Sequence, residues 1–193
     1  MIRKTLLFAL SMSSLALAAP GTAASSQVKR GEYLVSFGGC HDCHTPKKMG
    51  AGGPELDTDR LLAGHPEQMA VTPAPALQGP WMAATVGTMT AWAGPWGISY
   101  TANLTPDRET GLGAWTEQNF VDTMRTGRHM GRGRPILPPM PWEMVGKLTD
   151  QDLKAVFAYL RTIPAVKNRV PQPLPPAAPA TATASAAPPA PAK

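Results

Sequence analysis

"GGCHDCHTP", residues 38–46, decides how the rest of the chain is read. Cys40 and Cys43 are its only cysteines, three positions apart, and His44 directly follows the second. A disulfide between them would close a very small loop and constrain the unfolded chain little. It would also leave His44 without a part. Thioredoxin-like dithiol chemistry expects a βαβ setting, whereas helical and loop-like text surrounds this motif. Zinc needs four ligands, so Cys40, Cys43 and His41 or His44 would have to recruit the remote His65 or His129, and no second paired motif is present. Cys-x-x-Cys-His is the attachment signature of haem c. Two thiols at this separation add to the two vinyl groups along one porphyrin edge, and the next residue is carried beneath the ring, where an imidazole reaches the iron. Cys40 and Cys43 thus read as anchors of one covalent haem c, His44 as the proximal iron ligand and His41 as a spacer.

Working outward, "VKRGEYLVSF" (28–37) reads as a short helix stopped by Gly38 and Gly39. From Met49 to Pro106 glycine and proline recur too often for a long helix. Ordered loops of that length are normally functional, so this one is expected to wrap something. Helical text resumes in "TEQNFVDTMRTG", with Thr116 as N-cap, Glu117 in the first turn and Gly127 as the stop. Phe120, Val121 and Met124 form its apolar face. A proline-rich turn leads to "LTDQDLKAVFAYLRTIP" (148–164), where Thr149 is the N-cap and Asp152 takes the third helical position of a capping-box variant. Leu153, Val156, Phe157 and Leu160 make one apolar stripe, and Pro164 ends the helix. The expected fold is all-α, with three to four short helices and long loops around one covalently bound haem.

The ends differ in character. Arg3 and Lys4, an apolar run from Leu6 to Ala18 and small residues near Ala19 and Ala24 match a secretory signal peptide. The run is too short for a bilayer of ~30 Å, and no cysteine near the junction offers a lipid anchor. Residues 171–193 hold eight prolines and nine alanines without an aromatic residue, the composition of an extended, disordered tail. The expected organisation is a signal peptide (1–24), one domain (25–170) and a disordered tail (171–193), exported to the periplasm as a soluble protein. Without Arg3 and Lys4 the formal net charge falls from +5 to +3. That mild balance suits protein partners, and no dense basic run with interleaved aromatics points to nucleic acid.

An electron carrier fills both axial positions of its haem iron, whereas an enzyme keeps one open. Met140 is the leading sixth ligand because of its setting, "ILPPMPWEM". Pro138, Pro139 and Pro141 lock their own φ angles, so the loop is a stiff platform for a thioether. His129, Met130 and Met144 are the rivals. The alternative to a carrier is a haem enzyme, a peroxidase or small-molecule oxidoreductase with a displaceable distal ligand. It would need a general acid or base, and only His65 and His129 remain outside the motif.

With these residues in hand, "GEYLVSFGGCHDCHTP" and "LTDQDLKAVFAYLRTIP" resemble the opening and closing helices of class I cytochromes c. The resemblance implies that the two helices cross, with Gly31 meeting Tyr159. "NLTPDRETGLGAWTEQNFVDTMRTGRH" and "LPPMPW" resemble the cytochrome c subunits of membrane-associated alcohol and gluconate dehydrogenases. This implies a periplasmic domain carrying single electrons from a dehydrogenase donor to an oxidase or another cytochrome of the respiratory chain, itself catalysing nothing. Trp96, Tyr100, Trp142 and Asn103 are candidates to bond haem propionates through N–H or O–H groups, and Arg125 or Arg128 to pair with one.

Overall fold

The computed structural model describes residues 20–71 and 76–176. Most of the expected leader (1–19) and of the expected tail (177–193) lies outside them. The chain opens on α1 (Pro20–Phe37) and turns at Gly38–Gly39 into α2 (Cys40–His44). α1 starts earlier than the expected Val28, because Pro20 is compatible with a first helical position and nothing from Gly21 to Gln27 breaks the turn. α3 (Glu117–Thr126), the one-turn α4 (Trp142–Val145) and α5 (Asp150–Leu160) follow.

The caps of α3 and α5 are set locally. Thr116 Oγ1 accepts from the Asn119 N–H (3.0 Å), and Asn119 Oδ1 accepts from the Thr116 N–H (3.1 Å), a reciprocal capping box. Gly127 ends α3 at φ +64, and Thr149 Oγ1 accepts from the Asp152 N–H at 3.1 Å to start α5. The Asp152 carboxylate reaches across to α1, accepting from Arg30 Nε at 2.9 Å. The guanidinium holds that carboxyl below the usual carboxylate range, although a solvated pair of this kind stabilises little. Thr116→Ala removes one half of the α3 box and is expected to cost about 1 kcal/mol, read as a lower urea midpoint at unchanged slope.

Leu153, Val156, Phe157 and Leu160 are buried together with Leu34 and Val35 of α1 and Phe120, Val121 and Met124 of α3. The Phe120 and Phe157 rings lie 5.5 Å apart. α1 crosses α5 at Gly31, where an added Cβ would stand 2.0 Å from Ala155 O and 2.8 Å from Tyr159 Cβ. The expected meeting of Gly31 and Tyr159 is therefore present, and the closest approach is to the Ala155 carbonyl.

The all-α expectation needs correction. Two small antiparallel sheets occupy the stretch read as loop: β1 (Lys47–Gly50) with β2 (Gly53–Leu56), and β3 (Ala84–Thr85), β4 (Ala91–Gly94) and β5 (Gly97–Tyr100) in sequential order. Gly50 pairs with Gly53 and Gly94 with Gly97, so each hairpin closes through a two-residue turn between glycines. The same glycines that rule out a helix make the strands possible.

The chain also stays on the domain from residue 171 to 176, within the stretch where a disordered tail was expected. Leu174 forms a two-way bridge with Ile98 of β5, both N–H···O distances being 2.9 Å. A Cβ on Gly97 would stand 2.0 Å from Leu174 O, so the glycine makes room for this strap. A backbone bridge needs no particular side chain, so composition does not betray it.

Candidate functional site

α2 is a single helical turn entered through Gly39 in the left-handed region (φ +65). The Gly38 N–H donates to Leu34 O at 2.8 Å, so α1 leads directly into the motif. Cys40 and Cys43 are free thiols, both half-buried, and burial pushes each of them up in pKa. They are held as neutral S–H groups on one turn of helix.

His44 is buried beside them, 8% exposed. Its Nδ1 lies 2.8 Å from Ala102 O. A carbonyl oxygen only accepts, so the proton is on Nδ1 and the lone pair on Nε2. No hydrogen bond engages Nε2 among the described residues. Burial pushes the His44 pKa down, the bond to Ala102 opposing part of that effect, and the ring is neutral. This is the tautomer of a histidine ligand whose second nitrogen is oriented by a backbone carbonyl. The His44 carbonyl accepts from the Gly64 N–H at 2.8 Å. Thr45, fully buried, accepts the Leu62 N–H at Oγ1 (2.8 Å) and meets His41 Nδ1 at 2.9 Å. His41 is thereby tied into the turn as a spacer residue.

The cytochrome c family profile matches residues 28–164. The chain belongs to the cytochrome c family. Among curated relatives, this cytochrome c is 30% identical over 159 residues to the gluconate 2-dehydrogenase cytochrome c subunit of Pantoea cypripedii, covering 82% of this chain and 28% of the relative. It is 27% identical over 160 residues to the fructose dehydrogenase cytochrome subunit of Gluconobacter japonicus (80% and 26%). The cytochrome c subunit of the quinone-dependent alcohol dehydrogenase of Gluconobacter oxydans matches at 27% over 134 residues (68% and 20%). The chain thus spans between about a fifth and three tenths of the length of these relatives.

A cytochrome c domain implies covalently bound haem c, and the residues present fit that group. The donor set is two unpaired thiols on one turn and a neutral imidazole with a free Nε2. The other nominated residues fall as follows. Met140 is half-buried and packs against the hydrophobic core, whereas Met144 is 64% exposed. His129 is exposed and stands edge-on to Trp115, centroids 5.0 Å apart. Met130 lies in a 3-10 turn at φ +52. The loop carrying Met140 is tied to the second sheet, since Ser99 Oγ of β5 donates to Pro138 O.

Several propionate candidates have partners within the protein. Trp96 Nε1 donates to Ser99 Oγ (3.3 Å), and Asn103 Nδ2 donates to Val166 O (2.8 Å). Trp142 packs under Gly127. Arg125 donates to Gly146 O and pairs with Asp150, while Arg128 bonds Gly133 O at 2.9 Å. Sequence reasoning missed Ala102, whose part is played by a main-chain carbonyl that leaves no mark in residue type. No helix among the described residues is long and apolar enough to cross a membrane.

Proposed function

We propose that this protein is a periplasmic monohaem electron carrier in which His44 and Met140 would hold the haem iron and Cys40 and Cys43 would be the covalent anchors. Its partners on this reading are an oxidoreductase donor and an oxidase or second cytochrome of the respiratory chain. The observation that carries it is the neutral His44 ring, Nδ1 fixed on Ala102 O and Nε2 free, one residue from the cysteine pair. Haem c, when bound, supplies an iron centre that accepts and releases one electron. The chain's own work is to orient the imidazole, to place both cysteines on one helical turn, and to present a stiff loop around Met140. The relatives' names, cytochrome subunits of gluconate, fructose and alcohol dehydrogenases, support a donor of the dehydrogenase class.

A haem enzyme would need a free acid or base above the iron. His65 is fully buried and uses both ring nitrogens, on Thr90 Oγ1 and Met69 O at 2.9 Å each. His129 stands edge-on to Trp115. The relatives' names, all cytochrome subunits, favour the carrier.

The test is the absorption spectrum of protein matured with haem, wild type beside Met140→Ala. A low-spin wild type with a sulfur-to-ferric charge-transfer band is expected. The variant should lose the band, turn high-spin and drop in reduction potential, because thioether ligation raises it. A high-spin wild type, or a variant indistinguishable from it, sinks the assignment of Met140 and brings the enzyme forward.

A further inference from the structure

Asn168 lies in the strap after α5 with no exposed surface, and its amide is fully engaged. Nδ2 donates to Ala63 O (2.7 Å) and His65 O (2.8 Å). Oδ1 accepts from Arg60 Nη2 (2.9 Å) and from the Glu67 N–H (3.0 Å). Two donated and two accepted bonds use the whole capacity usually available to such an amide, and all four partners belong to one loop, residues 60–67. The main chain of Asn168 reaches a second segment: its N–H donates to Thr110 Oγ1 (3.0 Å), and its carbonyl accepts from Asn103 Nδ2 (3.3 Å).

These two segments are the ones that hold His44. Gly64, between the two carbonyls bonded by Asn168, donates to His44 O; Ala102, beside Asn103, accepts from His44 Nδ1. The segments also touch backbone to backbone. The His65 N–H donates to Thr101 O (3.0 Å) and the Leu104 N–H to Leu62 O (2.9 Å). A Cβ on Gly64 would stand 2.4 Å from Thr101 O and 2.6 Å from Ala102 O. A displacement of the 60–67 loop is therefore transmitted directly to the Ala102 carbonyl.

We propose that Asn168 is a positioning residue for His44, setting from the C-terminal strap the distance between the Nδ1–H and the Ala102 carbonyl and with it the basicity of Nε2. The inference rests on the reading of His44 as the proximal iron ligand. A tighter Nδ1–H···O=C bond makes the ring a more basic ligand, which favours the oxidised iron. Loosening the bond raises the reduction potential.

The experiment uses the full-length, haem-loaded protein with Asn168→Ala and Asn168→Asp. The aspartate variant keeps the size of the side chain and the acceptor facing Arg60 and Glu67, but loses both donors to Ala63 and His65. It carries the test if the alanine variant fails to fold. Reduction potential, the paramagnetically shifted ring-proton resonances of His44 and melting temperature are measured together. Val156→Ala, a core truncation that touches none of these bonds, controls for simple destabilisation. Both Asn168 variants are expected to raise the potential and shift the His44 resonances, whereas Val156→Ala lowers the melting temperature alone. Asn168 variants that melt earlier at wild-type potential and resonances overturn the proposal, as does an equal shift in Val156→Ala. His44→Ala separates the two failures. If it keeps the wild-type spectrum and potential, His44 is not the ligand, and the reading beneath the proposal fails first.

Discussion

Cys40→Ser with Cys43→Ser is expected to abolish covalent haem retention completely. A serine hydroxyl does not add to a vinyl group, and these are the chain's only thiols. After export with haem maturation and denaturation in acid–organic solvent, the wild type should keep its colour on the polypeptide and the double variant none. Each single variant leaves one attachment point, with a correspondingly shifted spectrum. Colour is read on denatured polypeptide, so its loss reports attachment rather than unfolding. Haem that stays on the denatured double variant would refute the attachment reading.

The largest effect on stability is expected at Gly31. A valine there places its Cβ about where the Ala155 carbonyl oxygen lies, 2.0 Å away, with the Ala155 carbonyl carbon at 2.6 Å and Tyr159 Cβ at 2.8 Å. The obstacle is mostly backbone, which no rotamer change removes. α1 and α5 must separate, and Leu34, Val35, Val156 and Leu160 lose contacts across the seam. Overpacking of this severity costs about 3 kcal/mol or more, a large part of a small domain's stability. Guanidinium unfolding of the haem-loaded variant should give a markedly lower midpoint, and Gly31→Ala a smaller change in the same direction. A Gly31→Val midpoint within error of wild type would mean that the helices do not cross here.

Much of this was readable along the chain. The caps at Thr116 and Thr149, the stop at Gly127 and the stripe from Leu153 to Leu160 follow from local bonds and a 3.6-residue period, and all appear in the structure. The strands escaped because they run four residues or fewer and close between glycines, so their text is indistinguishable from loop until a partner strand is known. The strap escaped for a related reason. Asn168 is one polar residue in a polar, proline-rich stretch, and its burial depends on carbonyls a hundred positions away.

The chemistry of the site was set by covalent spacing: within five residues, two thiols can meet one porphyrin edge while the imidazole beside them reaches the iron, wherever the chain carries them. Which nitrogen of His44 is free, and how firmly the ring is held, depends on Ala102, 58 positions away. Main-chain carbonyls are the same at every residue, so no sequence pattern marks the one that will accept. Spacing along a chain determines what can react; only packing brings together the distant backbone groups that orient it.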